Sequence, residues 1–301
     1  MSHDPVGFHL VLAALGLLAG TAQAAPIKVV ASFSILGDMV HQLAGDRADV
    51  TVLVGPDGDA HTFDPSPADA RKLANAALVV SNGLGLDGWL DKLAASAGYA
   101  GPRLVASDGV KTRTMIEGEG GGAKEITDPH AWQDPRNGII YALNIAAGLA
   151  KADPSNAEEY GRHADAYAIT LATVDKYTRE RIAAIPRDKR RVITSHDAFG
   201  YFGAAYGVTF LAPEGLSTDQ EASAGGVAKL VDQIRKEKIR AIFIENMTDP
   251  RLIKSIAAET GVELGGALFS DALSPPDGPA PCYLCMFQNN VPKLIDGMKK
   301  N

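Results

Sequence analysis

The feature that most constrains this chain is one unbroken helical pattern of 31 residues, Ser155 to Ile185, set between two stretches that alternate strands with helices. Tyr160, Ala164, Tyr167, Leu171, Val174 and Ile182 recur at spacings near 3.5 residues, the period of a single buried helix face. Ser155 and Glu158 make a capping-box pair directly after Pro154, and Pro186 stops the pattern. At 1.5 Å per residue such a helix reaches roughly 45 Å. That is the height of two domains, so the segment is expected to be a rigid spine between them. His163, beside Arg162 on the same helix, reads as a solvated side chain.

Before the spine, Ile27 to Ser32, Val50 to Val54, Ala77 to Ser81 and Arg103 to Ala106 read as short strands. Helices over Ile35 to Ala44 and Pro67 to Ala74, one containing Trp89 and Leu93, and one from about Pro135 to Ala150 alternate with them. After it come strands at Arg191 to Ser195, Val208 to Ala212, Ile239 to Ile244 and Val262 to Phe269. Helices are expected over Gly225 to Lys238, over Pro250 to Thr260 with Asp249 as N-cap, and from about Gln288 to Lys299. Alternation of this kind implies parallel sheets covered by helices. The fold class is therefore α/β, with two (β/α) lobes joined by one long rigid helix: 25–153, then the linking helix 154–186, then 187–301. Gly118 to Ala123 (GEGGGA) has the composition of a flexible surface linker.

His9 to Ala24 is an apolar stretch ending in Ala22-Gln23-Ala24, the small-x-small pattern of a signal peptidase site, although no Lys or Arg precedes it. Residues 1–24 are thus expected to be a signal peptide, and the absence of a lipobox cysteine points to a free periplasmic protein. Those residues hold one acid, Asp4, and no base, so the mature chain sets 29 bases against 35 acids. A balance of −6 lacks the basic face that nucleic acid requires. Cys282 and Cys285 are the only cysteines. In an oxidising compartment a C-x-x-C pair is most simply a short-loop disulfide; a redox pair and an accessory metal pair are the alternatives.

Four residues carry the candidate chemistry. His61 sits in a loop with Asp57, Asp59 and Asp64 directly after the strand ending at Val54. His196 and Asp271 also follow strands, and His130 lies in Asp128-Pro129-His130-Ala131-Trp132 ahead of a helix. Singly, His61 could be a turn-stabilising side chain, and His196 or Asp271 could cap a helix. Ligands of open parallel sheets bind outside the carboxyl ends of the strands, so residues placed this way on two lobes can meet in the cleft between them. Three imidazoles and one carboxylate suit a borderline ion such as Zn²⁺, and with one anionic ligand the complex carries a net +1. A zinc-dependent hydrolase is the rival reading. Four ligands close the shell that catalytic zinc keeps open, and neither H-E-x-x-H nor G-x-S-x-G occurs.

DAHTFDPSPAD, SNGLGLDGWLDKL, DPHAWQDPRNGIIYALNIAAGL, TSHDAFGYFGAAYGV, the EASAGG region, ENMTDPRLIKSIAAETG and LFSDALSPPDGPA resemble, in order, the motifs of the zinc/manganese solute-binding proteins of ABC transporters. The resemblance spans residues 27 to about 298 and is nearest to the AztC-type zinc receptors. It implies two (β/α) lobes, a metal in the interlobe cleft, no enzymatic activity, and delivery to a membrane permease. A periplasmic zinc chaperone is a further candidate partner, and the protein is expected to act as a monomer. Motif by motif, His61, His130, His196 and Asp271 fall where that family places its ligands. His196 stands where manganese members usually carry Glu, which favours Zn²⁺ over manganese or iron. Two departures follow: GEGEGGGAKEIT lacks the histidines that many zinc members carry ahead of the second ligand, and the Cys282 and Cys285 positions have no family role to carry over.

Overall fold

A computed structural model describes residues 25–118, 123–213, 215, 218 and 222–301. The expected signal peptide (1–24) and most of the GEGGGA segment lie outside the described residues. Two four-stranded sheets, each parallel throughout, organise the chain. The first has the order β2-β1-β3-β4, built from β1 (Ile27–Phe33), β2 (Ala48–Val54), β3 (Leu78–Ser81) and β4 (Arg103–Val105). The second runs β10-β9-β7-β8, from β7 (Arg191–Ile193), β8 (Thr209–Leu211), β9 (Ile242–Glu245) and β10 (Leu264–Leu268). Helices α1 (Ser34–Ala44), α2 (Pro67–Ala74), α3 (Trp89–Ser96), α4 (Pro135–Ala152), α7 (Ala224–Glu237) and α8 (Arg251–Thr260) supply the crossovers and covers. The expected α/β class with parallel sheets is therefore the observed one.

The central strands β1, β3, β7 and β9 are buried on both faces, and alternate residues serve different layers. In β1, Val29, Ala31 and Phe33 enter the main core, whereas Val30 joins Leu53, Leu73 and Leu90 under α2 and α3. In β9, Phe243 enters the main core while Ile242 joins Leu230, Ile234 and Ile253 under α7 and α8. The main core is continuous between the two sheets: Phe33 and Leu36, Tyr160 and Leu171, and Phe243 and Leu294 all belong to it.

The spine is α5 (Ala157–Ala183), shorter than its sequence pattern. Ser155 does not cap it, because Pro154–Asn156 forms a 3₁₀ turn instead. Asp153 organises that turn, accepting hydrogen bonds from Asn156 Nδ2 and the Tyr160 hydroxyl, each at 2.6 Å. His163 is tied down as well: its Nδ1 lies 2.9 Å from the Leu43 carbonyl at the end of α1. The last helix, α9 (Tyr283–Lys300), begins five residues before the expected Gln288 because Cys282 serves as its N-cap. It packs on α5, on β7 and β10, and on α1, where the Tyr283 N–H donates to Asp38 Oδ2 at 2.8 Å. An antiparallel hairpin, β5 (Thr114–Glu117) with β6 (Lys124–Thr127), was unexpected, and the helix after His196 is α6 (Gly200–Tyr206), whose N-cap is Phe199 and not His196.

Candidate metal centre

In the second sheet the strand order reverses between β7 and β9, and ligands of such sheets bind at that crevice. His196 follows β7, and Glu245 ends β9. Glu245 Oε1 accepts the N–H groups of Ser195 and His196 at 2.8 and 3.0 Å, and its Oε2 lies 2.8 Å from His196 Nδ1. The ring is thereby turned so that Nε2 points to Asp271 Oδ2, at 2.9 Å. Asp271 follows β10 and is held by its neighbours: the Ser270 carbonyl accepts from Trp132 Nε1 and Gln133 Nε2, both at 2.8 Å, and the Leu273 N–H donates to Ser34 Oγ at 3.0 Å.

His130 is built from the first sheet. Asn82, directly after β3, donates from Nδ2 to the Pro129 carbonyl at 3.1 Å, and is itself fixed by Asp87 and the Tyr141 hydroxyl. Asp128 Oδ1 accepts the His130 N–H at 3.0 Å and sits 2.8 Å from Nδ1. Its other oxygen pairs with Arg113 at 2.5 Å. Trp132 packs against the His130 ring with centroids 5.4 Å apart.

His61 rides on the loop after β2. Asp59 Oδ1 accepts the His61 N–H at 2.8 Å, an Asx turn. The Asp57 N–H donates to the Leu273 carbonyl at 2.9 Å, Asn246 Nδ2 to Asp57 Oδ1 at 2.8 Å, and Thr218 Oγ1 to Asp59 Oδ2 at 2.5 Å. Gly58 is required there, since a Cβ would stand 2.9 Å from Val54 and 3.0 Å from the Gly55 carbonyl.

The four expected residues converge. His61 Nε2 is 3.0 Å from Asp271 Oδ2 and 3.3 Å from His130 Nε2, His130 Nε2 is 3.7 Å from Asp271 Oδ2, and all four ligand atoms lie within 4.8 Å of one another. Ligands at 2.0–2.1 Å from a shared ion stand about 3.3 Å apart at the corners of a tetrahedron. The observed spacings need adjustments of an ångström or less for most pairs. Asp271 Oδ1 is buried without a hydrogen-bond partner. Leaving such an oxygen unpaired costs free energy, which a cation would offset.

Electrostatics agree with that fit. Burial opposes charge on His130, but Asp271 and Asp128 outweigh it and push the ring up to about 9. Burial likewise opposes charge on His196, and Glu245 and Asp271 hold it well above the imidazole range. Burial would raise Asp271, yet the His196 and His130 rings keep it well below the carboxylate range. In the metal-free state the rings thus hold protons where a cation would stand. The expected +1 for the bound complex counted ligands alone. Asp271, Asp128 and Glu245 together, less the Arg113 guanidinium, present two net negative charges, the complement of a divalent ion.

Of the four side chains, His61 is 7% exposed and the others are fully buried. His61 lines a cleft of about 660 Å³ together with Phe63, Asp64, Trp89 and Lys92. The Trp89 indole N–H anchors this loop through the Ala60 carbonyl at 3.0 Å.

Residues 29–297 match the family described as zinc-uptake complex component A, periplasmic (ZnuA). The chain belongs to the ZnuA family. It is therefore the metal-binding receptor of an ABC transporter and not an enzyme, it binds a divalent metal, and its working partner is the transporter's membrane permease. Relatives of this ZnuA-family chain differ in the metal of their names. The iron-binding protein YfeA of Yersinia pestis is 34% identical over 270 residues, covering 90% of this chain and 86% of that protein. The metal ABC transporter substrate-binding lipoprotein SsaB of Streptococcus sanguinis is 32% identical over 286 residues, covering 93% and 92%. Among solved structures, the Mn-bound periplasmic metal-binding protein of Candidatus Liberibacter asiaticus has a TM-score of 0.78 at 31% identity, covering 90% of this chain and 99% of that one. The periplasmic zinc-binding protein TroA of Treponema pallidum gives 0.82 at 27% identity, covering 91% and 99%.

Sequence reasoning missed Asp128 and Glu245 as the carboxylates that orient His130 and His196. Such partners fix the tautomer of a ligating imidazole and raise its basicity. The signal for Asp128 was its spacing two residues before His130; Glu245 had only its place at a strand's carboxyl end.

Proposed function

We propose that this protein captures one Zn²⁺ through His61, His130, His196 and Asp271 and presents it to the permease from the outer side of the membrane, as a periplasmic monomer of lobes 25–153 and 187–301 about the 154–186 segment. The observation that carries this reading is the convergence of three imidazoles on one carboxylate, two of them backed by buried carboxylates. A third imidazole in place of an oxygen ligand shifts preference toward zinc. One chain supplies all four side chains, so no second copy is needed to complete the site.

A second reading, manganese or iron as cargo, is favoured by Asp271 Oδ1. A bidentate carboxylate would give the five or more ligands those ions accept more readily than tetrahedral zinc does. The deciding experiment titrates the mature, metal-stripped chain with zinc, manganese and iron(II) against a chelating competitor. Zinc should bind most tightly, and His61→Ala and His196→Ala should each weaken it. Tighter manganese binding would establish the second reading, and no zinc affinity, or unaffected variants, would overturn the assignment.

A further inference from the structure

The cysteines are bridged, Cys282 to Cys285, and the function above makes no use of them. A disulfide across a sequence separation of three closes so short a loop that it restricts the unfolded chain little. Its location says more. Cys282 is the N-cap of α9, its Sγ accepts the Cys285 N–H at 3.0 Å, and both cysteines are partly exposed. A thiolate at such a helix N-terminus is stabilised and leaves readily in exchange.

The residue inside the bridge, Tyr283, is fully buried and reaches toward the metal centre. Its N–H is held by Asp38, its ring is wedged against Gly138 of α4, and its hydroxyl donates to the Trp132 carbonyl. Trp132 in turn packs on the His130 ring and donates from its indole to the Ser270 carbonyl, next to Asp271. The bridge is thus linked, through Tyr283 and Trp132, to the His130 ring and to Ser270, the chain neighbour of Asp271.

We propose that Cys282–Cys285 is a thiol–disulfide exchange site for a protein dithiol of the C-x-x-C class, and that its reduction loosens the metal centre through Tyr283 and Trp132. The coupling rests on the four-ligand reading; the exchange itself does not. A partner thiolate attacks Cys285 Sγ, the Cys282–Cys285 bond breaks, and Cys282 leaves as a thiolate. The partner's second thiol then attacks the mixed disulfide and expels Cys285. Two electrons pass to the receptor, two protons end on its cysteines, and the partner becomes a disulfide. Opening the bridge frees the first turn of α9, and with it the hydroxyl that fixes Trp132.

Reciprocity supplies the test: if reduction weakens zinc binding, bound zinc must resist reduction by the same factor. Full-length mature protein, with and without zinc, would be equilibrated against redox buffers of a non-chelating dithiol and quenched by thiol alkylation. A coupling of about fivefold lowers the two-electron midpoint of the zinc form by about 20 mV. Zinc release from reduced, desalted protein should be faster by about the same factor. Tyr283→Phe, which keeps the bridge and the ring, should abolish the zinc-dependent shift while leaving exchange intact. Equal midpoints with zinc demonstrably bound would overturn the coupling, and a bridge inert to dithiols under native conditions would overturn the exchange site. Absence of zinc binding in both redox states would instead overturn the site assignment, and the coupling with it.

Discussion

His61 and His196 meet the same oxygen of Asp271, at 3.0 and 2.9 Å, yet they are held by different means. His196 is fully buried at a sheet's reversal point, and Glu245 grips both its ring and its backbone. His61 reaches solvent, and what fixes it is its loop: the Asx turn at Asp59, the Trp89 indole and the contacts of Asp57 with the other half. On the proposed assignment, the difference separates a preorganised ligand from an adjustable one. A receptor that must both hold and surrender an ion needs each kind.

The largest expected effect would break this comparison outright. His196→Ala should abolish tight metal binding and also destabilise the metal-free fold by roughly 3 kcal/mol or more, because it strands a buried Glu245 carboxylate. His61→Ala should weaken binding strongly but cost the metal-free fold clearly less, by about 1 kcal/mol, because no carboxylate stands behind its ring and Asp271 keeps its contact with His196. Denaturant unfolding of both stripped variants checks this, and equal losses would erase the distinction.

Protons provide the next test. Both buried rings are raised, so at pH 7 they are protonated before metal binds and must lose protons to coordinate it. Affinity should therefore rise with pH toward about 9, the His130 value. About two protons, one from each ring, should be released per ion near neutrality, about 100-fold in affinity per pH unit. Calorimetry in buffers of differing ionisation heat would count them; zero release would contradict the paired-carboxylate description.

Glu245→Gln keeps the shape and removes the charge behind His196, and should cost about 10- to 100-fold in affinity. The smallest effect belongs to the His61 side. Trp89→Phe loses the bond to the Ala60 carbonyl, a net contribution of about 1 kcal/mol, so affinity should fall by less than about tenfold. A larger loss from Trp89 than from Glu245 would reverse the proposed roles.

The strand and helix order was legible in the sequence because each parallel strand is a short apolar run and each helix shows its own period. His61, His196 and Asp271 were legible as residues at carboxyl ends of strands. Glu245 was not, because its partnership with His196 spans 49 residues and exists only through the adjacency of β7 and β9. The β5–β6 pair escaped because its strands have only four residues each and flank the glycine-rich sequence from Gly118 to Ala123. The bounds of α6 escaped because Gly200-Tyr-Phe-Gly is poor in helix formers. Ser155 was misread as a cap because Asp153, two residues earlier, organises the helix start instead, accepting from Asn156 Nδ2 and the Tyr160 hydroxyl.

X-ray absorption at the zinc edge of the loaded protein tests the central claim most directly. The account predicts three imidazole nitrogens and one carboxylate oxygen at about 2.0–2.1 Å, with no water in the shell. A shell with two or fewer imidazoles, or one completed by solvent oxygens, would contradict it.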